Sequence, residues 1–251
     1  IISVCKEEKV PYFILGNGSN LLVSDKGYSG VVIQLYRGFG QITVEGNEIH
    51  AQAGALLSGI AAAAREASLT GFEFAGGIPG TLGGAVVMNA GAYGGELKDV
   101  LVKCDHIDQN GEKGTLCGDG LKLSYRHSAY YDNGCTITGV YFKLKKGNSD
   151  EIKSKMQDLM GRRKSKQPLE FASAGSTFKR PEGYFAGALI EECNLKGATV
   201  GGAQVSTKHA GFVINTGGAT CNDVLALCKQ VSDTVYKEKG VRLEMEVRVT
   251  K

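Results

Sequence analysis

Apolar and charged residues alternate without a break near the C-terminus: Leu243, Met245, Val247 and Val249 fall on one side, Arg242, Glu244, Glu246 and Arg248 on the other. A period of two sends successive side chains to opposite faces, so 241–250 is predicted as a strand with one apolar and one charged face. Just upstream the period changes. Val224, Leu227, Cys228, Val231 and Val235 recur at helical spacing, Thr220 and Asp223 form a capping pair, and Gly240 supplies a stop. The same two periods predict helices over 1–9, 56–69, 150–164 and 185–195, and strands over 12–15, 21–23, 31–35, 100–108 and 136–144. The 150–164 helix turns Ile152, Met156, Leu159 and Met160 to one face, and 31–35 reads as a buried strand. Residues 42–53 read as a hairpin turning at Gly46-Asn47, Asn110-Gly111 marks a second turn, and a further strand lies within 205–215. Strands toward both ends, helices between them and no βαβ repeat of about 30 residues argue for an α+β fold rather than a doubly wound α/β sheet.

One stretch fits neither period. Residues 72–95 carry Gly76, Gly77, Gly80, Gly83, Gly84, Gly91, Gly94 and Gly95, and read as neither helix nor strand. Glycine loses more backbone entropy on folding than any other residue, so such a run is kept for what it permits, which is close backbone approach. Inward-turned N–H groups would make an anion-holding concavity, with Pro79 stiffening one bend and Thr81 adding a hydroxyl. Ile78, Leu82, Ala85, Val86, Val87 and Met88 set the run apart from a polar flexible linker and argue for a buried, ordered loop. Its spacing excludes the nucleotide P-loop and the dinucleotide Gly-x-Gly-x-x-Gly turn. A second glycine turn, Gly16-Asn17-Gly18-Ser19-Asn20, sits between 12–15 and 21–23. It reads either as another phosphate cradle or as an ordinary tight turn with Asn and Gly at positive φ.

The 251 residues suffice for one large or two smaller domains, and 42% hydrophobic content is enough to build a core. A formal charge of +3, with no basic run beyond 162–166, gives no footing for nucleic acid. That cluster, Arg162, Arg163, Lys164 and Lys166, reads equally as cations favoured at a helix C-terminus. No stretch approaches the roughly 18 apolar residues of a membrane span. The opening Ile-Ile-Ser-Val-Cys-Lys-Glu-Glu-Lys reads as the end of an amphipathic helix rather than a secretory leader. Seven scattered cysteines, without a Cys-x-x-Cys pair or a histidine at ligand spacing, argue against a disulfide framework or a metal site and for a reducing, cytoplasmic setting. Cys104 and Cys228 lie in apolar runs where cysteine serves as a small core residue. Pro168 ends the 150–164 helical segment, and 167–183 is loop-like around Ala174-Gly175-Ser176-Thr177-Phe178-Lys179.

Taken together and in order, several stretches match one family: Gly-Asn-Gly-Ser-Asn-Leu-Leu-Val-Ser-Asp at 16–25, Gly-Gly-Ile-Pro-Gly-Thr-Leu-Gly-Gly-Ala at 76–85, Tyr-Arg-His-Ser at 125–128, Ala-Gly-Ser-Thr-Phe-Lys at 174–179, Ser-Thr-Lys-His-Ala-Gly-Phe at 206–212 and Glu-Val-Arg at 246–248. Over essentially its whole length the sequence resembles the UDP-N-acetylenolpyruvoylglucosamine reductases. Met-Asn-Ala-Gly-Ala-Tyr-Gly-Gly running directly into Glu96 is similar to the shorter class, without an extra tyrosine-bearing loop. The resemblance implies an FAD-binding fold of the p-cresol methylhydroxylase type, with two subdomains in 1–166, preceded in the family by a further N-terminal segment. It also implies an α+β substrate-binding domain over 167–240 and a returning strand over 241–251 that carries Glu246.

What the resemblance implies chemically is reduction of UDP-N-acetylglucosamine enolpyruvate to UDP-N-acetylmuramate for peptidoglycan, with FAD as cofactor and NADPH as hydride donor. Ser176 matches the family's proton donor, and Arg126 and Glu246 match residues that stabilise the enol-type intermediate. Tyr125, Lys166, Lys179 and Arg248 match substrate-binding positions. The cofactor would be held by Gly16, Asn17, Gly18, Ser19, Asn20 and Leu21, by Gly76, Gly77, Ile78, Pro79, Gly80, Thr81, Gly83, Gly84 and Ala85, and by Asn89, Ala90, Gly91 and Ala92. Arg180 stands where some relatives have Asn, and His209 reads as a packing residue. The implied partner is a small UDP-sugar, with no metal, nucleic acid, membrane or obligatory protein partner. Two rivals remain: another flavin oxidase or dehydrogenase on the same fold, and a non-catalytic nucleotide-binding module that keeps the glycine loops.

Overall fold

A computed structural model describes residues 1–250; Lys251, the last residue of the expected returning segment 241–251, lies outside the described residues. The chain divides into two compact units, one made of Ile1–Asn17 and Gly30–Arg162, the other of Gly18–Ser29 and residues 163–250. Among the described residues the α-helices are α1 (Ile2–Glu7), α2 (Leu57–Glu66), α3 (Leu82–Val87), α4 (Ala129–Asp132), α5 (Ser149–Lys166), α6 (Ala186–Glu192) and α7 (Cys221–Lys239).

The first unit is built on an antiparallel five-stranded sheet in the order Lys113–Cys117, Leu101–Ile107, Thr136–Lys143, Glu48–Gln52, Ile42–Glu45. Ile49, Ala51, Cys104, Val140 and Phe142 bury one face of it together with Leu57, Ile60, Leu82 and Val86 from α2 and α3. Phe72 stands edge-on to Phe142, ring centres 5.1 Å apart, and seats the start of the glycine run on that core. A separate parallel pair, Tyr12–Leu15 with Val31–Gln34, sends the chain into and out of the Gly16 turn.

The structure corrects several expectations here. The glycine run is not free of regular structure, because Leu82, Ala85 and Val86 recur at helical spacing and bury themselves as α3 despite two intervening glycines. The helix expected over 56–69 stops at Glu66: Ser68 turns left-handed at φ 53°, and Leu69–Thr70 pairs instead with Lys145–Lys146. Val31 and Val32, read as buried, are exposed. Lys113–Cys117 is a strand whose Gly and Lys content hid it from pattern reading.

The second unit has a four-stranded antiparallel sheet in the order Ala172–Ser173, Val213–Asn215, Ala203–Val205, Thr199–Val200. Leu189 and Ile190 of α6 and Leu227, Val231 and Val235 of α7 cover it. The capping pair is formed as expected: Asp223 N–H donates to Thr220 Oγ1 over 3.1 Å, Thr220 N–H donates to Asp223 Oδ2 over 2.9 Å, and Gly240 ends the helix at φ 70°. Asp25 adds a second cap from far up the chain, accepting from Cys221 N–H over 2.8 Å. The charged-and-apolar tail is strand only at Arg248–Thr250, which runs parallel to Leu21–Val23. Further upstream, Met245 bridges to Phe178.

Candidate functional site

Two glycine turns meet in the first unit. Asn17 donates from its side-chain amide to the Pro79 carbonyl over 2.6 Å, and a Cβ on Gly16 would run into the Thr81 hydroxyl. Glycine alone admits that approach. Thr81 is buried, bridges to Leu56, and does not cap the helix it precedes with its side chain. The first turn of α3 is pinned from behind: Leu82 and Gly83 donate their N–H groups to the carbonyls of Ala55 and Ala53, each over 2.8 Å. Gly16 and exposed Gly84 thereby flank the Thr81 hydroxyl, with Asn17 tied to Pro79 alongside. Main chain without side chains, an amide and a hydroxyl form a suitable cradle for a diphosphate such as that of FAD.

Other glycines of the run serve packing. A Cβ on Gly76 would lie 3.3 Å from that of Ala61, one on Gly95 2.7 Å from the Phe74 ring, and one on Gly91 2.7 Å from the Glu96 side chain. Ile78, Ala85 and Ala90 turn their side chains into the core, while Gly77 and Ala92 are half-buried. Gly18, Ser19, Asn20 and Leu21 belong to the second unit.

Arg126 sits in the first unit on a strained turn. Ser124 and His127 close the turn with reciprocal main-chain hydrogen bonds of 3.1 and 3.2 Å, leaving Tyr125 and Arg126 at its tip. Arg126 adopts φ 54°, a left-handed conformation that turns of this kind reserve for Gly or Asn. Holding a long side chain there costs on the order of 1–3 kcal/mol, so the surroundings must enforce it. Asn89 does so. Wholly buried, it donates to the Ser124 carbonyl over 2.9 Å and to Glu96 Oε2 over 3.0 Å, and accepts from Lys98 N–H over 3.0 Å. The Arg126 guanidinium donates to the Gly91 carbonyl over 3.4 Å and lies 4.9 Å from the centre of the exposed Tyr125 ring.

Ser176 and Glu246 come together in the second unit. Lys179 N–H donates to the Glu244 carbonyl over 2.8 Å and Glu246 N–H to the Thr177 carbonyl over 2.9 Å, an antiparallel pairing about the Phe178–Met245 bridge. Glu246 therefore lies across from the residue next to Ser176. Thr177 is buried, donates its N–H to the Gly211 carbonyl over 2.9 Å and accepts Val213 N–H on its hydroxyl over 2.8 Å, so three segments meet on it. Ser176 itself is exposed. Lys179 pairs with Glu244 Oε1 at 2.5 Å, Arg248 and Lys166 are exposed, and the Arg180 guanidinium stacks 3.9 Å from the Phe185 ring centre.

A family model described as "UDP-N-acetylenolpyruvoylglucosamine reductase, C-terminal domain" matches residues 167–250. Over 249 residues the chain is 52% identical to the UDP-N-acetylenolpyruvoylglucosamine reductase of Caldanaerobacter subterraneus subsp. tengcongensis, an alignment covering 99% of this chain and 82% of that one. The chain belongs to the UDP-N-acetylenolpyruvoylglucosamine reductase family. A model described as "FAD binding domain" matches residues 1–115, so this reductase is a flavoprotein oxidoreductase with FAD as its cofactor. The Clostridium novyi UDP-N-acetylenolpyruvoylglucosamine reductase is also 52% identical, over 99% of this chain and 81% of its own length. Among solved structures, the Thermus caldophilus UDP-N-acetylenolpyruvylglucosamine reductase superposes with a TM-score of 0.85 at 38% identity, covering 99% of this chain and 88% of that one. The expected α+β, FAD-binding fold of the p-cresol methylhydroxylase type therefore holds for the reductase.

The Glu73 side chain of the reductase escaped sequence reading, whereas His209, Cys104 and Cys228 pack as their surroundings in sequence suggested. Glu73, buried at the head of the glycine run, accepts from Thr70 Oγ1 over 2.5 Å, Gly71 N–H over 3.1 Å and Lys155 Nζ over 3.2 Å. Burial alone would push its carboxyl up, but these donors outweigh it and hold the pKa below the ordinary value. A glutamate in a loop-like run reads as solvated, and nothing in the pattern marks it otherwise. His209 accepts Gly211 N–H on Nδ1 over 3.1 Å and stands edge-on to Phe212, and burial lowers its pKa. Burial pushes the Cys228 thiol up to about 12 and raises Cys104 as well, which fits core packing rather than nucleophilic use. No helix is long and apolar enough to cross a membrane, and no group of metal-ligating side chains occurs, among the described residues.

Proposed function

We propose that this reductase converts UDP-N-acetylglucosamine enolpyruvate to UDP-N-acetylmuramate with NADPH as hydride donor, in the cytoplasm, as a step toward peptidoglycan precursors. The observation that carries the reading is the main-chain pairing of Thr177 with Glu246, which joins the segments that carry Ser176 and Glu246 in a chain of this family. When bound, FAD would supply the redox chemistry that links hydride from NADPH to the vinyl carbon of the enolpyruvyl ether. The protein's own task is the charge that this leaves on the neighbouring carbon and its carboxylate. In this reading the Ser176 hydroxyl gives that carbon its proton, and Glu246 helps to stabilise the enol-type intermediate. The guanidinium of Arg126 pairs with the substrate carboxylate, where its planar fork suits two oxygens at once. Tyr125, Lys166, Lys179 and Arg248 orient the rest of the UDP-sugar, and Gly16, Asn17, Thr81 and Gly84 hold the cofactor diphosphate.

The test is NADPH oxidation by purified protein reconstituted with FAD, followed with and without the enolpyruvyl UDP-sugar. Oxidation that accelerates with the sugar supports the proposal. Tight FAD or UDP-sugar binding without sugar-dependent NADPH loss would reduce the chain to a nucleotide-binding module.

A further inference from the structure

We propose that Asn20 is a positioning residue for Glu246, an inference that rests on the functional reading above. Asn20 lies in the turn assigned from sequence to the cofactor, yet its side-chain amide donates to the Glu246 carbonyl over 3.1 Å, across 226 positions of sequence. Its own carbonyl accepts Arg248 N–H over 3.1 Å. The two bonds bracket buried Val247, and the strand pairing continues from Leu21 with Arg248 to Val23 with Thr250. From the opposite side, Glu246 N–H is held by Thr177. Both main-chain polar groups of Glu246 are thus fixed, each by a different segment, so the point from which its side chain projects cannot shift without losing one of them.

The chemistry of the residue fits the task. An amide supplies a donor for a carbonyl at short reach, an aspartate would face that carbonyl with another oxygen, and leucine would offer it nothing. Loss of the donor leaves a half-buried carbonyl without its bond while the carboxylate itself remains. Asn20 is neighboured by Ser19, whose carbonyl would lie 3.7 Å from a Cβ on Gly175, so the same turn also abuts the loop of Ser176. Ser19 and Asn20 therefore touch both the Ser176 loop and the Glu246 segment within this unit.

The test is a double-mutant cycle on the full chain: wild type, Asn20→Asp, Glu246→Gln and both changes together, with Asn20→Leu as an uncharged second variant. Rapid mixing separates flavin reduction by NADPH from reoxidation by the enolpyruvyl UDP-sugar. Asn20→Asp should slow reoxidation about ten-fold more than reduction, and should cost less than about three-fold when Glu246 is already Gln. Before FAD is added, hydrogen exchange at Arg248 N–H should be faster in the variant, by about ten-fold. Equal slowing of both half-reactions, or an undiminished penalty from either Asn20 variant in the Glu246→Gln background, overturns the positioning role. Wild type that the UDP-sugar fails to reoxidise overturns the functional reading and this inference with it, whereas an active wild type with an undiminished penalty sinks the Asn20 role alone.

Discussion

The Asn89 amide donates to the Ser124 carbonyl over 2.9 Å, and this bond fixes the entry to the turn on which Arg126 stands. Asn89 itself has φ 40°, a conformation asparagine tolerates better than most residues. Replacing it by alanine would remove three part-buried hydrogen bonds and leave Lys98 N–H without its acceptor. Asn89→Ala should cost about 2–4 kcal/mol in urea unfolding. A loss below about 0.5 kcal/mol, the range of ordinary surface changes, would mean that this network does not hold the turn.

Arg126 should show a trade between stability and activity. Glycine adopts its φ of 54° without strain, so Arg126→Gly should leave the unfolding free energy no lower than wild type. The same exchange in an exposed helix would cost about 1 kcal/mol. Turnover should fall by about 100-fold, because the guanidinium is gone. Thermal melts and steady-state rates on one preparation check both halves, and a destabilised but fully active variant would contradict both.

Ser176→Ala should spare the reduction of FAD by NADPH and slow substrate-dependent reoxidation by about 100-fold or more. Ser176 is exposed, so the change should barely move the melting temperature. Parallel loss in the two half-reactions would remove Ser176 from proton delivery.

Much of this was legible in the chain because it rests on local chemistry. Thr220, Asp223 and Gly240 mark both ends of α7 by their own hydrogen-bonding and backbone preferences. Gly46-Asn47 announces its hairpin in the same way. The α3 helix was missed because glycine content speaks for loop, while burial of Leu82, Ala85 and Val86 decides for helix only once the core is assembled. Glu73, Asn89 and Asn20 were beyond sequence reading for a related reason: each owes part of its role to a distant partner, Lys155 at 82, Ser124 at 35 and Glu246 at 226 positions. The candidate catalytic trio was recognisable only as a family pattern, since a turn serine, a surface arginine and a strand-face glutamate look ordinary one at a time.

His209 should impose an acid limit on the second unit. Burial holds its pKa below the ordinary 6.5, with Lys196 and Lys166 adding to the effect and Glu191 opposing it. As pH falls through the window just below 6.5, the unfolded chain takes up the proton while the folded one resists, so stability rises with pH there and is lost on acidification. His209→Asn keeps an acceptor for Gly211 N–H but cannot titrate. Urea midpoints at pH 7.5 and 5.5 should therefore differ less in the variant than in wild type, and an identical difference would assign the acid sensitivity elsewhere.

The short excursion Gly18–Ser29 sets the order of events at the ribosome. Its strand and Asp25 emerge well before their partners, Arg248–Thr250 and the head of α7, the latter 196 positions further along the chain. The second unit cannot close until Arg248–Thr250 has been made, and no single cut separates the two units into self-sufficient fragments. A piece beginning at Arg163 would be born with an unpaired terminal strand and would need residues 18–29 supplied in trans to recover it.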